Sequence, residues 1–288
     1  MGLVSPIDPA AFEVERVPFT SRDGTRSIMF LVHKKGTPRD GARPTLLTGY
    51  GGFNVSMQPA WTPSAAPFLE HGGVYALAIL RGGGEFGEAW HQAGMLGNKQ
   101  NVFDDFIAAA EWLIANKVTS REHLGISGRS NGGLLMGAAL TQRPDLFRAV
   151  VVGVPLLDML RYDRFRIAQL WIPEYGAPAE ARAFKWLYGY SPYHHVKDGV
   201  AYPAVLLHTA ESDTRVDPMH ARKMTARLQA ATDGRHPVLL RFESKAGHGA
   251  GKPLGKTIEQ LTDEWSFLFR ELGVVIDGGH GKGESARK

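Results

Sequence analysis

A chain of 288 residues is long enough for one large domain or two small ones, with a sizeable buried core. Its 43% hydrophobic and 22% charged content is that of an ordinary soluble globular protein, and a net charge of +4, from 33 basic and 29 acidic side chains, is too mild and too scattered for a nucleic-acid-binding surface. The absence of cysteine removes disulfides, thiolate nucleophiles and zinc–thiolate sites. No apolar run reaches membrane-spanning length, and the N-terminus shows neither the basic region nor the apolar core of a signal peptide, so a cytoplasmic protein with no membrane partner is expected.

Eight short apolar runs read as strands: Val14–Val17, Ile28–His33, Thr45–Thr48, Val74–Leu80, Leu124–Ser127, Ala149–Val154, Ala204–Thr209 and Val238–Glu243. The first two flank the turn signal Ser21-Arg22-Asp23-Gly24-Thr25 and predict an antiparallel hairpin. The later runs are continuously apolar, as parallel strands buried on both faces must be. Between them, Phe103, Phe106, Ile107, Ala110, Leu113 and Ile114 recur at helical spacing. A second helix follows Pro218 to about Ala230, and a third carries Ile258, Leu261, Trp265, Leu268, Phe269 and Leu272 on one face, the aromatics reading as core. An antiparallel start followed by βα units predicts an α/β fold with an open, mostly parallel sheet covered by helices. A single domain over residues 1–275 accounts for the pattern, with 276–288 reading as a disordered tail. The aromatic-rich segment from Asp158 to Ser191 has no clean period and reads as a cap over a cleft, with irregular core as the alternative.

The run Gly128-Arg129-Ser130-Asn131-Gly132 lies between the fifth strand and an apolar helical stretch. In that context G-x-S-x-G is a candidate nucleophile elbow, because a serine lifted above the sheet on a strained turn needs neighbours without side chains. A serine nucleophile needs a base, and the base needs an acid to fix its tautomer. In α/β-hydrolases these follow in the order serine, acid, histidine. After the seventh strand, Glu211, Asp213 and Asp217 all qualify by position, although Asp217 before Pro218 is also a natural helix cap. His248 sits on a glycine-rich loop after the eighth strand, whereas His220 falls inside a helix, His236 precedes the strand and His280 lies in the tail. Oxyanion donors are expected from the Asn131 amide and from the loop Gly49-Tyr50-Gly51-Gly52-Phe53-Asn54, where Tyr50 offers a hydroxyl.

Three other patterns are set aside. Gly82–Gly87 satisfies G-x-G-x-x-G after a strand, but no helix is expected to open directly from it, and Asp104 and Asp105 fall at a helix start instead of a strand end. The adjacent pair His194-His195 points its rings apart and lacks acidic partners at ligand spacing, so no metal is implied. Asn54-Val55-Ser56 is a formal glycosylation sequon without secretory context.

Long ordered motifs then resemble one family. Tyr50-Gly51-Gly52-Phe53-Asn54, Arg81-Gly82-Gly83-Gly84-Glu85, Asn98-Lys99-Gln100-Asn101 with Asp104-Asp105-Phe106, Ser130-Asn131-Gly132-Gly133-Leu134-Leu135, Gln142–Phe147 and Lys245–Pro253 are all similar to the catalytic domain of prolyl oligopeptidases. The resemblance runs from about Val14 to Leu272. It implies an eight-stranded α/β-hydrolase acting on proline-containing peptides, a serine peptidase that cleaves after proline through an acyl-enzyme and needs no cofactor. It also implies that Ser130, Asp213 and His248 form the triad and that Tyr50 joins the Asn131 amide in the oxyanion hole. Phe53, Leu156, Trp171, Tyr175 and Val216 would line the proline pocket, and Arg215 would bind the carbonyl upstream of the proline.

Members of that family carry a β-propeller that filters substrates by size, and an N-terminal segment that wraps the hydrolase fold. Neither is found in this sequence. Cleavage of longer chains and self-association through the face a propeller covers are therefore expected. Arg129 replaces a glycine common beside the nucleophile, Thr48 stands near the oxyanion turn, and Thr214 takes an acidic position. A promiscuous carboxylesterase, or an inactive remnant serving as a binding module, are the other readings.

Overall fold

A computed structural model describes residues 8–60, 62–244, 247–249 and 252–276. Residues 277–288 of the tail, the first seven residues and four positions of the Lys245–Pro253 motif lie outside the described residues. Among the described residues there are eight strands: β1 (Phe12–Thr20), β2 (Arg26–Lys34), β3 (Thr45–Thr48), β4 (Val74–Ala78), β5 (Leu124–Arg129), β6 (Ala149–Gly153), β7 (Ala204–Ala210) and β8 (Val238–Glu243). They form one sheet in the order β1-β2-β4-β3-β5-β6-β7-β8. Strand β2 alone runs against its neighbours, pairing antiparallel with both β1 and β4, while every other pair is parallel. This is the α/β-hydrolase arrangement.

The hairpin forms where the sequence places it. Gly24 takes φ +86°, a conformation only glycine adopts at no cost, and Asp23 Oδ1 accepts the Thr25 amide at 3.0 Å to close the turn. Strand β2 alternates buried and partly exposed residues, whereas β6 and β7 are buried along their whole length. The antiparallel end and the parallel centre of the sheet thus differ as a one-faced and a two-faced strand should.

The described helices are α1 (Ala66–Glu70), α2 (Glu88–Gln92), α3 (Gln100–Ala115), α4 (Asn131–Gln142), α5 (Ile172–Tyr175), α6 (Ala181–Tyr190), α7 (Met219–Ala231) and α8 (Leu254–Leu272). Helices α3, α4 and α7 bury their apolar faces in one large core with Phe103, Phe106, Leu134, Met136, Met224 and Leu228. Helix α8 packs on the opposite face with Phe267, Leu268, Phe269 and Leu272 around Phe68 and Val151. Its stripe is buried only towards the C-terminus: Trp265 is half-buried, while Leu254 and Ile258 are 75% and 55% exposed. One expectation is corrected. A helix does open directly after Gly87, but α2 spans only five residues, and the preceding glycines serve close packing. A Cβ on Gly82 would stand 2.7 Å from Gly51 O, and one on Gly94 would stand 2.2 Å from Gly82 N. No described helix is long and apolar enough to cross a membrane.

Strand order positions the site. The chain leaves β3 for β4 on one side, and β5 lies on the other, so the loops after β3 and β5 diverge at a crevice where such sheets bind ligands. Parallel register pairs Thr48 with Ser127, and Thr48 Oγ1 donates to Ser127 O at 2.9 Å. Tyr50 and Ser130 then emerge side by side, two and three residues further on.

Candidate active site

Ser130 sits between β5 and α4 with φ +58° and ψ −119°, a conformation rare for any residue with a Cβ. The strain is held by neighbours. Ser130 N donates to Gly153 O at 2.9 Å, and its carbonyl accepts the Leu134 amide at 3.1 Å. The flanking glycines are required because the backbone nearly touches itself. A Cβ on Gly128 would lie 2.4 Å from Gly132 O, and one on Gly133 would lie 2.7 Å from Gly153 O. Helix α4 starts at Asn131, so the amides of its first turn lack partners within the helix and carry partial positive charge towards the serine.

Past β7 the chain turns on Asp213, which is fully buried. Its Oδ1 accepts the amides of Arg215 and Val216, both at 2.9 Å, which buries Val216 and leaves the Arg215 side chain exposed. Its Oδ2 lies 2.7 Å from His248 Nδ1. A carboxylate only accepts, so the proton of the neutral ring is on Nδ1 and Nε2 is left bare as a proton acceptor. The other two acids are engaged elsewhere. Asp217 Oδ1 accepts the Met219 amide at 2.9 Å at the start of α7, its Oδ2 meets Arg166 at 3.1 Å, and Glu211 lies exposed at the end of β7.

Tyr50 reaches the serine. Burial raises its phenol pKa, while the charge of Arg215 and a hydrogen bond with the Ser130 side chain act in the other direction. The loop is held by Asn131, whose Nδ2 donates to Tyr50 O at 2.6 Å while its Oδ1 accepts the Tyr175 hydroxyl at 2.8 Å. Phe53, at φ +57°, turns its ring edge-on to Tyr175 with centroids 5.4 Å apart. Leu156, Trp171, Tyr175 and Val216 are all buried, at 9% exposure or less. The Tyr175 wall is locked from behind, because Trp186 Nε1 donates to Tyr175 O at 2.8 Å and the Tyr162 hydroxyl donates to Gly176 O at 2.9 Å. Segment 158–191 is therefore a series of short helical turns whose Trp171–Tyr175 stretch stands beside the Tyr50 loop.

Two buried ion pairs behind these residues were not assigned roles from the sequence. Lys99 Nζ, 1% exposed, meets Glu174 Oε1 at 2.9 Å, and Glu174 Oε2 lies 3.0 Å from His91 Nε2. Arg81 pairs with the fully buried Asp105 and reaches Asp23 and Ser21 in the β1–β2 turn. Glu174 stands in an otherwise apolar stretch and Arg81 before three glycines, but their partners are too distant in sequence to name. Arg129 also finds partners: its Nη1 lies 3.1 Å from His208 Nε2, and His208 lies 3.1 Å from Glu264. Burial pushes the His208 pKa well below the usual histidine range, so that ring is neutral. His194 and His195 point apart, to Ser191 Oγ and to Tyr188 O, and no cluster of three metal-ligating side chains occurs among the described residues.

The arrangement provides a strained serine, an imidazole oriented by a buried carboxylate, a hydroxyl beside the serine and a cluster of buried aromatic side chains. Comparison with known proteins points to one family. The profile of the prolyl oligopeptidase family matches residues 60–275. The prolyl endopeptidase of Elizabethkingia meningoseptica is 45% identical over 268 residues, which is 93% of this chain and 38% of that protein. A prolyl endopeptidase of known structure superposes with a TM-score of 0.92 at 54% identity, covering 94% of this chain and 40% of the other. A post-proline cleaving enzyme from Rickettsia typhi superposes with a TM-score of 0.91 at 37% identity, over 96% and 40% of the two chains. The chain thus spans about two fifths of the length of the relatives it matches.

Proposed function

Because the chain belongs to the prolyl oligopeptidase family, we propose that it is a serine peptidase catalytic domain that hydrolyses peptide bonds on the carboxyl side of proline. The observation that carries the reading is the 2.7 Å bond between His248 Nδ1 and the buried Asp213, on loops at the same sheet edge as the strained Ser130. His248 Nε2 takes the proton of Ser130 Oγ as that oxygen attacks the scissile carbonyl. The oxyanion of the tetrahedral intermediate is received by the Tyr50 hydroxyl and the Asn131 amide, donors already fixed in place and therefore stronger than water. Collapse expels the amine, which takes its proton from His248, and leaves an acyl-enzyme. Water repeats the sequence to release the acid.

In this reading segment 158–191 is a cap that supplies one wall of the substrate pocket. The pyrrolidine ring of proline fits a pocket of Phe53, Leu156, Trp171, Tyr175 and Val216, where flat aromatic surfaces cover its apolar faces. Arg215, exposed at the rim, donates to the substrate carbonyl upstream of the proline. Leu170 at 73% exposure, with exposed Phe184 and Tyr188 nearby in sequence, supports self-association through this side of the molecule, which analytical ultracentrifugation reads directly. The activity is tested with a chromogenic Gly-Pro amide and with a fluorophosphonate. Hydrolysis of the amide, with labelling abolished by Ser130→Ala, is expected. Labelling without amide hydrolysis removes the proline specificity, and turnover of nitrophenyl esters alone selects a carboxylesterase.

A further inference from the structure

The loop after β3 is held to the pocket wall by two parallel ties. Two successive carbonyls of that loop each accept from a side chain: Tyr50 O from Asn131 Nδ2 at 2.6 Å, and Gly51 O from Lys99 Nζ at 2.9 Å. Those two side chains are in turn held by successive residues of the wall. Asn131 accepts from Tyr175, and Lys99 pairs with Glu174 at 2.9 Å. The fit is close on every side. A Cβ on Gly52 would stand 2.7 Å from Asn131 Nδ2 and 2.9 Å from Lys99 Nζ, and the ammonium lies 5.3 Å from the Tyr175 ring centre.

A buried ion pair is a poor way to stabilise a fold. Removing both charges from water costs several kcal/mol, and apolar replacements of similar volume are often neutral or stabilising. Burial indeed pushes the Lys99 pKa down, against the pull of Glu174. What the pair does uniquely is hold one carbonyl of the Tyr50 loop at a fixed distance from α5. We infer that Lys99 is a positioning residue that locks the Tyr50 hydroxyl onto Ser130 by tying its loop to the Glu174–Tyr175 wall, so that the proline pocket and the oxyanion hole form one rigid unit. This rests on the peptidase reading above.

The test separates geometry from folding. The double variant Lys99→Met, Glu174→Met removes both charges together but also takes the donor from Gly51 O and a partner from His91, so its thermal midpoint is expected to fall by a few degrees while the fold is kept. With active sites titrated to completion by fluorophosphonate, its kcat per site on a Gly-Pro amide is expected to fall by about tenfold to a hundredfold, the loss typical of a reacting group displaced by an ångström. KM is expected to change by less than about threefold, because the aromatic pocket is retained. A double variant whose kcat per titrated site stays within about twofold of the parent overturns the inference. Should that variant not fold, Lys99→Arg keeps the charge but lengthens the tie. A tenfold lower kcat per site supports positioning, and an unchanged one overturns it. A parent chain that the fluorophosphonate does not label contradicts the peptidase reading itself, a result distinguishable from either.

Discussion

The Tyr175 hydroxyl donates to Asn131 Oδ1 at 2.8 Å, so the last residue of α5 and the first residue of α4 share a hydrogen bond. Both groups are buried, Tyr175 at 0% and Asn131 at 2% exposure. Burial also raises the Tyr175 phenol far above its usual range, which keeps it a donor at any working pH. Tyr175→Phe leaves Asn131 Oδ1 without this donor, and an unsatisfied buried acceptor costs about 1–3 kcal/mol. The variant should unfold at lower urea concentration by that amount, with an unchanged slope. A coincident transition would mean that water or another donor replaces the phenol.

Asp213 fixes the tautomer of His248 through the 2.7 Å contact with Nδ1. Asp213→Asn presents an amide where the carboxylate stood, and the ring then places its proton on Nε2, where a base is needed. Loss of kcat by about four orders of magnitude is the expected scale for such a tautomer error, with KM little changed. The backbone amides of Arg215 and Val216 still find the Asn carbonyl, so the loop should stay folded. A circular-dichroism melt matching the parent, together with near-parent kcat, would remove Asp213 from the mechanism.

In the proposed mechanism Tyr50→Phe deletes one oxyanion donor and leaves the ring in place. The fall expected in kcat is about 10²–10³-fold, the range seen when a single such donor is removed. Because the donor acts on charge that develops only in the transition state, KM for the prolyl amide should hold. A variant that loses affinity instead of kcat would place Tyr50 in ground-state binding.

How much of this site was legible beforehand follows from the length scale of each signal. Ser130, Asp213 and His248 each follow a short run that reads as a strand, and the order of those strands fixes which loops meet. The elbow glycines carry their reason locally, since Gly128 and Gly133 stand where a Cβ would strike backbone. The Lys99–Glu174 pair had no such mark. Its partners lie 75 residues apart, and only the packing of α5 against the turn before α3 reveals that they meet. The choice of Asp213 over Asp217 was equally out of reach from position alone, because it depends on two amides folding back onto one carboxylate oxygen. Helix α8 shows the opposite limit: a periodic apolar stripe predicts a face, yet its first two turns leave Leu254 and Ile258 uncovered.

His220 links acid stability to the turn after β6. Its ring is 2% exposed, and Nδ1 accepts the amides of Leu157 and Asp158 at 3.2 and 3.1 Å, directly after the buried Leu156. An Nδ1 that accepts two amides cannot hold a proton. Burial lowers the pKa to about 4, against the opposing charges of Asp158 and Asp217, whereas the unfolded chain titrates near 6.5. Above pH 6.5 neither state binds the proton and this group contributes no slope. Between 6.5 and 4 the unfolded state binds a proton that the native state refuses, so stability falls as pH falls, by about 3 kcal/mol in all. Below about 4 the native ring titrates as well, and the slope ends. His220→Asn keeps an acceptor for the two amides but cannot titrate. Denaturant unfolding at pH 7 and pH 4.5 should show the parent losing about 2–3 kcal/mol more than the variant. Equal losses in the two proteins would assign the acid sensitivity to other groups.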